Sequence, residues 1–165
     1  MSKLSNFISS GHEYETSESV YSPNTVSLKN AEIGILTVEG DHYNELQMAR
    51  SGDSSQGNKY VKITDFSHYI TQDFEQTNNK IKVASSDNGA GYMKYWNKNN
   101  SEVKSLVDYD SKKSKLLVVE AGDKLYNHEI ASDRRAFFGA QLFDNLNENG
   151  VKLFDRSLEW AAHLD

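Results

Sequence analysis

The sequence contains no cysteine, which excludes disulfides, thiolate zinc sites and a cysteine nucleophile. Proline occurs once, at Pro23. No apolar run approaches the roughly 18 residues that a membrane-crossing helix requires. Positive charge is scarce: 18 Lys and Arg against 24 Asp and Glu leave a net charge of −6. Nucleic acid is therefore not an expected partner, because phosphate neutralisation needs clustered Lys and Arg. Short catalytic motifs are missing as well. There is no Gly-x-Ser-x-Gly elbow, no Gly-Lys-Ser/Thr phosphate loop, no Gly-x-Gly-x-x-Gly opening a helix and no paired His at metal spacing. Asp108-Tyr109-Asp110-Ser111 alternates carboxylates as calcium loops do. It lacks their glycine and closing glutamate, and so reads as a solvated turn. No metal or cofactor is expected. Met1 to Ser10 has too few apolar residues for a secretory signal. The compartment stays open: the chain remains inside the cell, or it is exported as part of a longer protein.

What is present is enough for one domain of 165 residues, with 11 % aromatics to build its core. Residues 1–24 read as a polar lead-in and 25–165 as a single α/β domain. Ile33 to Val38 is a short apolar run with the character of a strand buried on both faces. Asp41 then caps an expected helix over His42 to Arg50, with Leu46 and Ala49 on one face and Met48 near it. Ser51 to Asn58 is a polar loop. Strands are expected at Tyr60–Ile63, Lys80–Ala84, Glu102–Val107, Lys115–Glu120 and Arg134–Gly139. The second of these alternates Lys80 and Lys82 with Ile81 and Val83, which predicts one wet face. In the fourth, four apolar residues stand between the charged ends Lys115 and Glu120. Asp108 to Ser114 is expected to be a polar turn. The last element is a helix with Asn147 as N-cap. Its stripe is Val151, Phe154, Leu158, Ala161 and Ala162, flanked by Leu153 and Trp160. Gly150 in its first turn weakens it by about 1 kcal/mol against Ala, which predicts a close backbone approach there.

The run Arg134-Arg135-Ala136-Phe137-Phe138-Gly139, then Asn145 to Asp155, then Leu158-Glu159-Trp160-Ala161, resembles the end of a class I glutamine amidotransferase-like domain. Its nearest likeness is the ThuA-like branch found in bacterial exported, carbohydrate-associated proteins. Asp65-Phe66-Ser67-His68-Tyr69-Ile70-Thr71 is similar to that group's Asp-His-Pro-Ile-Thr turn, with Tyr69 in place of the proline. The segment from Ile33 to Met48 is similar to its strand, Glu and short helix. The resemblance implies a partial doubly wound, flavodoxin-like three-layer sandwich with a mixed sheet. Two departures matter. The family's nucleophilic Cys is absent, and only some 30 polar residues precede Ile33 where the family has further β-α units. A parallel sheet exposed in this way needs cover. The chain is therefore expected to form a homo-oligomer, to pair with a partner subunit, or to cover the gap with residues 1–30.

Three functions follow as expectations. The first is a non-catalytic binding or accessory module with a glycan or small-molecule ligand. Asp87, Asn88, Tyr92 and Trp96 would bind it, because rings stack on the apolar face of a pyranose while amides bond its hydroxyls. The plain alternative is an exposed loop beside core aromatics. The second is a hydrolase in which Glu39, His42 and Glu120 converge at strand ends. The plain alternative is helix capping for Glu39 and His42 and a tolerant polar loop for Glu120. The third is a structural subunit that assembles through an open sheet edge. His68 is expected to hold its turn by bonding backbone carbonyls. Of Arg134 and Arg135, which face opposite ways along a strand, one is expected to join a salt bridge at a buried edge.

Overall fold

A computed structural model describes residues 6–8, 31–38, 46–49, 58–87, 93–94, 101–111, 113–140 and 142–165. Among the described residues eight strands follow one another: β1 (Asn6–Ile8), β2 (Ile35–Thr37), β3 (Tyr60–Ile63), β4 (Ile81–Lys82), β5 (Met93–Lys94), β6 (Lys104–Asp110), β7 (Lys113–Val119) and β8 (Arg135–Phe138). A 3-10 turn, Phe143–Asn145, leads into the helix α1 (Glu148–Ala161). The sheet order is β1-β2-β8-β7-β6-β3-β4. β1, β2 and β8 run parallel. From β8 through β7, β6 and β3 to β4 every pairing is antiparallel. β5 pairs with the first residues of β7, at Ser114 and Lys113. The fold is thus α/β with an open mixed sheet, a partial α/β sandwich. Asn6–Ile8, inside the stretch read as a lead-in, supplies the edge strand beside β2.

The period of two in each strand divides the core between the two faces of the sheet. Leu36, Val61, Ile63, Ile81, Val83, Leu116, Val118, Ala136 and Phe138 share one cluster with Leu153, Trp160 and Ala161 of α1. Ile35, Leu117, Val119 and Phe137 point the other way. They pack against Leu46, Met48, Ala49, Leu125 and Ala131. At the β3–β4 end the second face is wet, because Tyr60, Lys62, Lys80 and Lys82 are exposed while their neighbours are buried.

α1 begins as its sequence predicts. The Asn147 side chain accepts the Gly150 N–H at 3.1 Å. At its other end His163 adopts a left-handed φ of 57°, and Leu164 N–H reaches back to Glu159 O at 2.9 Å. The buried stripe is rotated from the expected one. It comprises Gly150, Leu153, Ser157, Trp160 and Ala161, while Val151 is exposed. Small size brings Gly150 and Ser157 inward: they let the helix backbone approach the sheet, and Ser157 spends its hydroxyl on Leu153 O at 2.7 Å. A Cβ at Gly150 would lie 2.1 Å from Val83 O. Gly150→Ala should therefore destabilise the fold by about 1–3 kcal/mol, although Ala is the better helix former. Urea midpoints check this, and a stabilised variant contradicts it.

Two expected elements are corrected. Leu46 to Ala49 is a turn, not the end of a helix, and Gln47 has a φ of 56°. The carbonyls there serve partners distant in sequence: Tyr126 N–H donates to Gln47 O at 2.8 Å and Arg135 Nη1 to Leu46 O at 2.9 Å. The polar turn expected over Asp108 to Ser114 is shorter than that: β6 runs to Asp110 and β7 starts at Lys113, with Asp110 paired to Lys113 and Ser111 in the turn between them. Ser105, Asp108 and Ser114 bond among themselves, which satisfies polar groups inside the ladder.

Candidate functional site

Glu120 follows β7 and lies beside Arg134, which precedes β8. Because β7 and β8 are antiparallel, both sit at the end of the sheet where β2 begins. Arg134 Nε donates to Glu120 Oε2 at 3.1 Å, and its Nη1 donates to Trp160 O at 2.9 Å and to Asp165 Oδ1 at 2.5 Å. The guanidinium also lies 4.9 Å from the centre of the Trp160 ring. That hydrogen bond holds the Asp165 carboxyl below the usual range. Arg134 thereby joins the sheet to the C-terminal end of α1. Arg135 points to the opposite face, as strand alternation requires, and is buried.

His68 also faces this corner, with its ring 5.4 Å from that of Trp160. It holds its turn as expected, though through an amide and not a carbonyl: its Nδ1 accepts the Ile70 N–H at 3.2 Å. Burial pushes its pKa down, with Glu120 opposing the shift. The neutral ring therefore carries its proton on Nε2 and has no free lone pair for a general base. Thr71 closes the same turn by donating to Asp65 O. Glu39 and His42 lie outside the described residues. β2 delivers Val38 to the sheet end opposite Glu120.

Of the expected glycan loop, Asn88, Tyr92 and Trp96 lie outside the described residues. Asp87 is placed: its Oδ1 accepts the Lys59 N–H at 2.8 Å. This ties the loop to the residue before Tyr60. Tyr60 borders a groove of about 570 Å³ that wraps the β4 edge, lined also by Glu75, Thr77, Asn78, Lys80, Lys82 and Asn149. Tyr60 is 42 % exposed, and its ring is a candidate platform for a ligand. Asn78 and Asn79 have φ of 54° and 59°, the two left-handed residues of a tight hairpin turn. Thr77 and Lys80 close that turn with two backbone bonds. Asn149 reaches across from α1, its Nδ2 donating to Lys82 O at 3.1 Å, and Asn147 donates to the same carbonyl at 2.9 Å.

The groove is not legible in the sequence because its walls come from three separate segments: Tyr60, the hairpin from Glu75 to Lys82, and Asn149. The wet alternation of Lys80 and Lys82 was its one visible signal. A second surprise is Lys115. It reads as the charged end of a strand, yet it is fully buried. Its Nζ donates to Gly139 O at 2.5 Å and lies 4.6 Å from the Phe138 ring. Burial pushes its pKa down to about 7.

Among the described residues no group of three His, Asp or Glu is placed to hold a metal ion. Nor is any helix there long and apolar enough to cross a membrane. No family model, curated protein or solved structure matches this chain.

Proposed function

We propose that the chain is a non-catalytic binding module whose ligand is a carbohydrate seated in the Tyr60 groove. The observation that carries this reading is a half-exposed aromatic ring set in a concavity of ligand size among amide and hydroxyl side chains. A pyranose stacks its apolar face on the ring, and Asn78, Thr77 and Asn149 exchange hydrogen bonds with its hydroxyls. The other candidate groups among the described residues, Glu120 and Asp87, are engaged in holding the fold. Glu120 is bound by Arg134 and Asp87 by a backbone amide. The β4 edge carries the side chains of Asn147 and Asn149 on Lys82 O. That favours a ligand groove over strand-to-strand assembly at this edge. The ancestry we propose is the amidotransferase-like one, on the strength of the Arg134 to Ala161 pattern alone.

Calorimetric titration against a panel of oligosaccharides tests the reading. At least one should bind, and Tyr60→Ala should weaken it by about tenfold, the effect of removing one stacking ring. Tyr60 is exposed, so the variant should keep its melting temperature. Sugar binding unaffected by Tyr60→Ala, or no binding at all, contradicts the proposal.

A further inference from the structure

We infer that the sugar taken by the Tyr60 groove is an acidic one, a pyranose that carries a single carboxylate. The inference rests on the carbohydrate reading above and adds the charge of the ligand. The chain as a whole carries a net charge of −6. The groove departs from that average, with Lys80 and Lys82 on its wall against one carboxylate, Glu75. Outside the lining, Lys59 Nζ lies 5.9 Å from the centre of the Tyr60 ring, and the Asp87 carboxylate on the Lys59 amide offsets that charge.

Strand geometry fixes the arrangement. Ile81 and Val83 are drawn into the core, so Lys80 and Lys82 must both point outward, about 7 Å apart along the strand. Among the described residues neither ammonium is paired with a carboxylate. Two like charges on one face repel each other, and an anion between them relieves that repulsion. Glu75 sets the upper limit on ligand charge. It accepts hydrogen bonds from sugar hydroxyls but repels a polyanion. One carboxylate surrounded by hydroxyls satisfies both conditions at once. A neutral sugar leaves the lysines unused, and a phosphate ester brings a second charge towards Glu75.

The test compares uronate-containing oligosaccharides with their neutral hexose counterparts, and includes inorganic phosphate, by calorimetry on the full chain. At about 50 mM salt the uronate should bind about tenfold more tightly than the neutral sugar. The preference should shrink several-fold at about 300 mM salt, where exposed charges are screened. The Lys80→Gln/Lys82→Gln double variant should abolish the preference, so that uronate and neutral sugar, both measured on that variant, bind equally. Equal binding of acidic and neutral sugars overturns the inference while the carbohydrate reading stands. So does a preference that survives the double variant, or phosphate binding as tightly as the uronate. Failure of every sugar to bind removes the carbohydrate reading, and this inference with it.

Discussion

Gly34→Ala should cost the protein about 3 kcal/mol or more, at the upper end of what overpacking does. Gly34 stands at the entry to β2 and is buried. A Cβ placed there would lie 1.6 Å from Ala161 O and 2.6 Å from Ala161 C. Those atoms are backbone at the end of α1, so no rotamer change relieves the clash. The helix end would have to move outward, and it is held in place. Arg134 grips Trp160 O, and His163 Nε2 lies 2.6 Å from Asp133 Oδ1. The variant must break that corner or shift the whole helix on the sheet. Urea denaturation checks it. A midpoint shift worth less than about 0.5 kcal/mol, the range of ordinary surface substitutions, contradicts the close packing described.

The second large effect concerns pH. Lys115 has a pKa of about 7 in the folded protein against 10.5 for the free group. Between these values the unfolded chain binds more protons than the folded one. Stability must therefore rise as pH rises from about 7 to about 10. Below the folded value the amine is charged in both states and the burial penalty is fully present, about 5 kcal/mol by linkage. His68 adds to the acid side, since burial lowers its pKa too, and it loses stability on protonation below its ordinary 6.5. Tyr109 closes the window on the alkaline side. Burial pushes its phenol up, so stability falls once the unfolded chain ionises above 10.0. Lys115→Met keeps the stem and removes the charge. Its melting temperature should stay nearly flat from about pH 7 to 9.5, while that of the parent climbs by many degrees. Parallel curves for the two proteins contradict the account of this amine.

Part of this architecture is legible in the sequence and part is not. Local signals worked when the cause was local. Asn147 caps its helix, and Gly150 betrayed a close approach because a weak helix former in a first turn needs a reason. Ile81 and Val83 are buried and Lys80 and Lys82 exposed because the strand period is two. The helical stripe was misjudged by about one residue, since ranking by apolarity overlooks the small residues on which backbones meet. Lys115 was misread for a related reason. A lysine at a strand end normally reaches water, but here β5 and β8 flank its strand and Gly139 O takes the amine. The helix expected up to Arg50 fails at Gln47 because Arg135 and Tyr126 claim carbonyls that a helix would need. The β6–β7 hairpin hid behind aspartates and serines that pair with one another. The groove is the extreme case: Tyr60, the Asn78–Lys80 turn and Asn149 meet only through strand pairing and helix docking.

Amide and side-chain chemical shifts followed by NMR during titration with a uronate oligosaccharide would place the ligand directly. The largest changes should fall on Tyr60, the Asn78 side-chain amide, Lys80, Lys82 and Asn149, with the corner of Glu120, His68 and Arg134 undisturbed. Shifts centred on that corner, with the Tyr60 groove silent, would contradict the binding site described for this protein.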